Sequence, residues 1–294
     1  MTEACTDRLG TLLNHFEVRA RTFHSGVLCG ITDFSAPDKG GQMHLVRAGA
    51  LEVMHPGLPA MQLSVPSLLL YPRPMPRRFV TDSQHGADLV CADLQFDGGM
   101  SNPIAGALPD VVCLALGDID GAEHVLKMLF DEAFGNNCGR HVLIDRLFEV
   151  VLIQVLRHLM EKDQVSGGML AGLSHPKLRK ALVAIHDQPA QEWTLDALAK
   201  LSGMSRTVFA NGFRGVVGCT PGVYLQGWRI KLAQQALRQG RPLKVIAVDV
   251  GYGSEAALSR AFKAQCGMTP REWRQVSASS TNAARPCVKC PACA

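Results

Sequence analysis

The chain has 294 residues, 47% hydrophobic and 19% charged, with a formal net charge of +4. That mixture excludes a wholly disordered chain. At about 150 residues per domain it predicts two domains, each burying a core. The small net charge conceals a division. Residues 1–175 carry 13 Lys and Arg against 20 Asp and Glu, whereas residues 176–275 carry 15 against 6. An acidic segment joined to a basic one predicts that the second meets a polyanion and the first does something else. No apolar run reaches the roughly 18 residues needed to cross a bilayer. The N-terminal MTEACTDRLG lacks the basic-then-apolar order of a secretory signal. A cytoplasmic protein is therefore expected, its cysteines mostly reduced.

Residues 9–100 read mostly as short strands. Gln42–Val46, Ala50–Met54, Met61–Val65, Ser67–Tyr71 and Asp88–Leu94 are separated by Gly, Pro and Asp breaks, which predicts a sandwich or barrel. The run Leu68-Leu69-Leu70 calls for burial on both faces. From Gly121 the period becomes helical. Ile144, Leu147, Phe148, Val151, Leu152, Val155, Leu156 and Leu159 form a wide apolar stripe, for packing on the strands or for a dimer seam. The polar, Gly-rich stretch 161–174 reads as a linker.

Residues 176–275 read as helical and contain an internal repeat. Phe213 to Pro221 (FRGVVGCTP) aligns with Phe262 to Pro270 (FKAQCGMTP) at an offset of 49 residues. Phe209 aligns with Leu258 and Ser205 with Ser254; one residue earlier in register, Gly203 aligns with Gly251 and Ala199 with Ala247. Each copy predicts a helix, a tight turn at glycine and a second helix capped by serine. Val208, Phe209 and Phe213 are expected to bury the first of these second helices, and Leu258 and Phe262 the other. This is helix-turn-helix spacing, with one helix face left free for a major groove. Two copies in a basic segment predict DNA binding.

The residues Trp193-Thr194-Leu195-Asp196-Ala197-Leu198-Ala199, Gly203-Met204-Ser205-Arg206, Val250-Gly251-Tyr252, Leu258-Ser259-Arg260-Ala261-Phe262-Lys263 and Thr269-Pro270 resemble the DNA-binding domain of the AraC/XylS family of transcription regulators. The resemblance implies seven helices, one long helix near Pro221–Gln239 holding the two units. It also implies recognition helices in successive major-groove segments. Carried over by position, the base-facing candidates are Arg206, Thr207, Ala210 and Asn211, then Glu255, Ala256, Ser259 and Arg260. Asn suits adenine, Arg guanine and Glu the cytosine amino group. A phosphate contact or a solvated helix face is the alternative for each.

The strand-rich half resembles the cupin-type effector domain of one branch of that family, through His44 to Gly49, Leu63 to Pro72 and Pro76-Arg77-Arg78-Phe79. It implies a jelly-roll barrel able to hold a ligand. A metal-dependent cupin wants an HxH pair and a later His; here His44 stands alone and Arg77 lies near the later position. His44 therefore reads as a hydrogen-bonded wall residue, and Arg77 as an anion contact or a surface ion pair. Cys29 and Cys91, both placed in strands, are candidates for a redox pair, or pack as small hydrophobes. In the tail, Cys287, Cys290 and Cys293 have CxxCxxC spacing, suited to a metal or to thiol redox chemistry, or simply a disordered, reduced tail.

The expected fold is α+β: a cupin-like β-barrel with a helical extension over residues 1–162, a linker over 163–175, an all-α double helix-turn-helix domain over 176–276 and a tail over 277–294. The expected function is a DNA-binding transcriptional regulator, an activator by resemblance, controlled by a small-molecule or oxidant effector. Promoter DNA, RNA polymerase and a second copy of the chain are the expected partners; no cofactor, no membrane and no enzymatic activity are expected. A cupin metalloenzyme fused to DNA-binding helices, and an effector-independent DNA binder, are the alternatives.

Overall fold

The computed structural model describes residues 7–35, 40–99, 102–162, 164–165 and 167–282; the tail cysteines Cys287, Cys290 and Cys293 lie outside them. Among the described residues the N-terminal half contains nine strands: β1 (Val18–Leu28), β2 (Ile31–Phe34), β3 (Gly41–Ala48), β4 (Leu51–Met54), β5 (Met61–Leu63), β6 (Ser67–Tyr71), β7 (Arg77–Thr81), β8 (Ala87–Phe96) and β9 (Val112–Ala115). They pair antiparallel as a five-stranded sheet, β1-β8-β3-β6-β9, and a four-stranded sheet, β2-β7-β4-β5. Among the described residues no strand pairing joins the two, so of the sandwich or barrel expected from the strand spacing the chain forms two facing sheets, not the closed barrel that the resemblance implies.

The five-stranded sheet is covered on both faces. Alternation sends Val46, Leu69, Tyr71, Leu89 and Cys91 into the core shared with the other sheet. The intervening Met43, Leu45, Leu68, Leu70 and Val90 join a helix-covered core. That is the physical reason for the unbroken Leu run. The helices α3 (Glu123–Phe134) and α4 (Arg140–Glu161) form this outer layer, so the α4 stripe is buried within its own chain. Two carboxylates one turn apart on α4 also serve the unpaired edge of β1. Asp145 accepts from the Thr22 amide and hydroxyl, each at 2.7 Å, and Glu149 from the Ala20 amide at 3.2 Å. An edge strand covered in this way is closed to further strand pairing.

A short helix α1 (Gly10–His15) precedes β1, and α2 (Pro103–Ala107) precedes β9. The expected linker is partly helical: α5 (Gly168–Ser174) buries Met169, Leu170 and Leu173. Gly172 lets it sit tight; a Cβ there would stand 2.4 Å from Leu182 Cδ1 and 2.9 Å from Val217 Cγ2. The Gly-rich composition masked a helix whose three large side chains all point into the core.

Seven helices follow, the number expected: α6 (Leu178–Asp187), α7 (Leu195–Leu201), α8 (Arg206–Val217), α9 (Pro221–Arg238), α10 (Leu243–Asp249), α11 (Glu255–Cys266) and α12 (Pro270–Asn282). The N-terminal segment packs onto them. The Phe16 and Trp228 rings lie 5.3 Å apart, Gln235 donates to the His15 carbonyl, and Arg238 pairs with Asp97 at 3.1 Å. The two halves thus share one continuous apolar core. Among the described residues no helix is long and apolar enough to cross a membrane.

Candidate nucleic-acid interface and sensor core

Each predicted repeat closes through the same turn. The amide of Gly203 donates to the Lys200 carbonyl and that of Met204 to the Ala199 carbonyl, both at 3.0 Å. In the second copy Gly251 donates to Val248 at 3.0 Å and Tyr252 to Ala247 at 2.7 Å. This pair of bonds is the Schellman closure, which needs a left-handed residue; Gly203 has φ +60° and Gly251 φ +81°. Ser254 caps α11 by accepting from the Ala257 amide at 3.1 Å. Ser205 occupies the matching position but its hydroxyl makes no such bond.

The second helix of each unit buries one stripe and frees the other. Phe209, Phe213 and Val217 hold α8, and Leu258 and Phe262 hold α11. Val208, expected to be buried, is 56% exposed; the i, i+4, i+8 stripe begins one residue later. Arg206, Thr207 and Asn211 are exposed on α8, as are Glu255, Ala256 and Arg260 on α11. Ala210 and Ser259 are half-buried, Ala210 lining a cleft with Trp193 and Pro221. Arg206 pairs with Asp196 at 3.4 Å with both side chains largely exposed, a contact worth at most about 1 kcal/mol in water and readily exchanged for a phosphate.

Arg229 on α9 joins the two units, and sequence reasoning missed it. Its Nε donates to the Pro189 carbonyl at 2.7 Å, Nη2 to Gln191 at 3.0 Å and Nη1 to Gly251 at 3.2 Å. One guanidinium therefore ties the approach to the first unit to the turn of the second. At that turn, a Cβ on Gly251 would meet the Ala190 Cα at 2.6 Å. Nothing in local sequence marks this residue, because its partners are backbone carbonyls 22 to 40 positions away.

In the strand half, Gln42 and His44 alternate on the inner face of β3. The register places Tyr71, Gln42 and Asp93 on one rung, and Cys91 beside His44. Gln42 donates to Asp93 at 2.7 Å. Arg77, only 3% exposed, donates to Gln42 Oε1, to His44 Nε2 and, at 2.9 Å, to the Met75 carbonyl. Its guanidinium stacks over Tyr71, 4.1 Å from the ring centroid. His55 meets the Tyr71 hydroxyl at 2.9 Å. Burial lowers the Arg77 pKa to about 10 and, reinforced by Arg77, holds His44 well below its ordinary value. His44 is thus a hydrogen-bonded interior residue, and Arg77 is not a surface residue and, among the described residues, is in no ion pair. The alternation Gln42-x-His44 within an apolar strand was the available signal for this cluster.

The thiols do not form a pair. Cys91 is fully buried, and burial pushes its pKa far up. Cys29 is exposed and lies in the turn after β1, not in a strand, beside Gly86. Gly86 and Cys91 are five residues apart along the chain through β8, roughly 16 Å in extended backbone. A disulfide needs Cα atoms within about 7 Å. Among the described residues no cluster of three or more His, Cys, Asp or Glu side chains is placed to hold a metal.

The molecule is thus a two-part α+β protein, a two-sheet domain fused to duplicated helix-turn-helix units. A cupin family profile matches residues 7–161, and a helix-turn-helix domain profile matches residues 198–276. A putative AraC-like transcription regulator of Streptomyces antibioticus is 39% identical over 172 residues, 57% of either chain. The HTH-type transcriptional regulator AlkR of Acinetobacter baylyi is 35% identical over 204 residues, 67% of this chain and 66% of that one. The RCS-specific HTH-type transcriptional activator RclR of Escherichia coli is 26% identical over 254 residues, 83% of this chain and 89% of that one. The match thus spans a little over half to just under two thirds of the first two relatives' own length. The chain belongs to the AraC-type transcription regulators that carry an N-terminal cupin domain.

Proposed function

We propose that this chain binds specific promoter DNA through α8 and α11 and is controlled by a small molecule held in its two-sheet domain. The observation that carries the reading is the duplicated turn geometry with two free helix faces, locked to each other by Arg229. Arg206 and Asn211 on α8, and Glu255 and Arg260 on α11, supply base-reading chemistry; Thr207, Ala210, Ala256 and Ser259 supply methyl or hydroxyl contacts. The domains proposed are residues 1–162 for sensing and dimerisation, 163–175 for connection, 176–276 for DNA and 277–294 as a tail. The names of the relatives support regulation rather than catalysis, and RclR's supports activation. RNA polymerase, a second copy of the chain and a cytoplasmic setting complete the proposal.

Signal and DNA are linked through the contacts of Phe16 with Trp228 and Asp97 with Arg238. A ligand that favours one packing of this seam shifts the population presenting both recognition helices. The buried Cys91 thiol and its distance from Cys29 favour a bound molecule over a disulfide as the signal.

Anisotropy measurements with the full chain test the reading. Affinity for a cognate duplex should drop by about 10³ or more between roughly 50 and 200 mM salt if six or more phosphates are contacted. Arg260→Ala should weaken cognate binding by about 1–3 kcal/mol while relaxing specificity at one base pair. An unchanged specificity ratio would reassign Arg260 to phosphate. Salt-independent binding would contradict the DNA reading.

A further inference from the structure

The core between the two sheets buries a cation, Arg77, which Asp93 reaches only through space and through Gln42. Among the described residues no carboxylate pairs with Arg77. Asp93, the nearest acid of its cluster, is engaged by Gln42 instead. A buried charge left uncompensated is costly, and arginine cannot shed its proton to escape that cost.

The unmet hydrogen bonds of Arg77 and His44 have one sense. Arg77 only donates, so the His44 Nε2 that it contacts must accept, and the neutral His44 ring must carry its proton on Nδ1. That Nδ1 and the Arg77 Nε are both buried without a partner. Two adjacent, touching side chains thus each present a donor that lacks an acceptor. An acceptor with negative charge would complement both donors.

Two phenylalanines flank His44. Phe34 is half-buried and Phe23 is 43% exposed; their rings lie 5.2 and 6.1 Å from His44. Phe23 sits where the β1–β8 register slips between Thr22 and His24, a bulge that re-aims a side chain.

We infer that the Arg77–His44 pair is the receptor for a small monocarboxylate, its charge on the guanidinium and its apolar body against Phe34 and Phe23. One guanidinium beside a neutral imidazole matches a single negative charge. The inference rests on the reading of the two-sheet domain as the sensor, and it specifies what that sensor takes.

The test is thermal unfolding of the full chain at fixed ionic strength with acetate, propionate or butyrate. Acetamide, propionamide and butyramide are the neutral counterparts of the same shape, and nitrate is the inorganic one. A carboxylate should raise the melting temperature saturably, by about 5 °C at a hundredfold excess over its Kd. The amides and nitrate should not. Arg77→Met should abolish the shift; it also leaves the Gln42, His44 and Met75 acceptors without their donor, so its melting temperature is compared only with and without carboxylate. Equal responses to carboxylates, amides and nitrate would overturn the inference. Should that variant not fold, the wild-type comparison of carboxylate with amide decides alone. A chain that binds duplex DNA yet ignores every carboxylate would overturn this inference and leave the DNA reading intact; a chain stabilised by carboxylate yet indifferent to DNA would do the reverse.

Discussion

Acidification from pH 7.5 to pH 5 should destabilise the wild type by about 2 kcal/mol through His186, and His186→Phe should remove most of that loss. His186 is buried on α6, stacked 4.0 Å from the Trp228 ring and 2.7 Å from the Tyr224 hydroxyl. Burial pushes its pKa down to about 3, from an ordinary value of 6.5. The sign follows from which state takes the proton first. Below pH 6.5 the unfolded chain binds it and the folded chain does not. Stability is therefore complete above pH 6.5 and falls towards pH 3, by roughly 1.4 kcal/mol for each pH unit. His44 and His15, also lowered by burial, act in the same direction and leave a residual slope. Phenylalanine retains the stack on Trp228 and cannot titrate. Denaturant midpoints at the two pH values check this; an equal acid slope in both proteins would show that His186 does not control it.

The second large effect is expected at Arg229. Arg229→Ala removes three charge-assisted bonds to backbone carbonyls on two sides of α9 and should cost about 3 kcal/mol of stability. Arg229→Lys should not restore it, because an ammonium lacks the planar fork that reaches Pro189, Gln191 and Gly251 together. Cognate DNA affinity should fall at least about tenfold beyond what the unfolded fraction explains, since two helices that wander relative to each other no longer match two groove segments. Unfolding and anisotropy on the same preparations separate the two losses. A variant with wild-type affinity would show that the units need no fixed relation.

Much of the DNA-facing half was legible because its information is local and repeated. Gly203 and Gly251 mark left-handed turns, Ser254 marks a cap, and Phe209, Phe213, Leu258 and Phe262 mark the buried stripes. Long-range contacts were not legible. Arg229 acts on carbonyls far along the chain, and α1 leaves the strand half to lie against α6 and α9. The helix α5 was hidden by its glycines, one of which exists for close packing. In the strand half, the run Leu68–Leu70 implied two buried faces, while the division into two sheets depends on pairings such as Ile31 with Val80. Arg77 was not legible as a core residue, because its burial is set by Tyr71, Phe34 and Phe79 from three other positions. The pairing of Cys29 with Cys91 failed for the same reason: sequence shows thiols in apolar surroundings, and only register shows their separation.

The central claim is that α8 and α11 read DNA as one rigid pair. Selection of duplexes from a random pool by the full chain, followed by footprinting, tests it most directly. The account predicts enrichment of a bipartite site whose two short elements lie about 10 base pairs apart on one face of the helix. Arg206→Ala should relax the sequence of one element and Arg260→Ala that of the other. Recovery of sequences without a common site, or of a single element untouched by both substitutions, would contradict it.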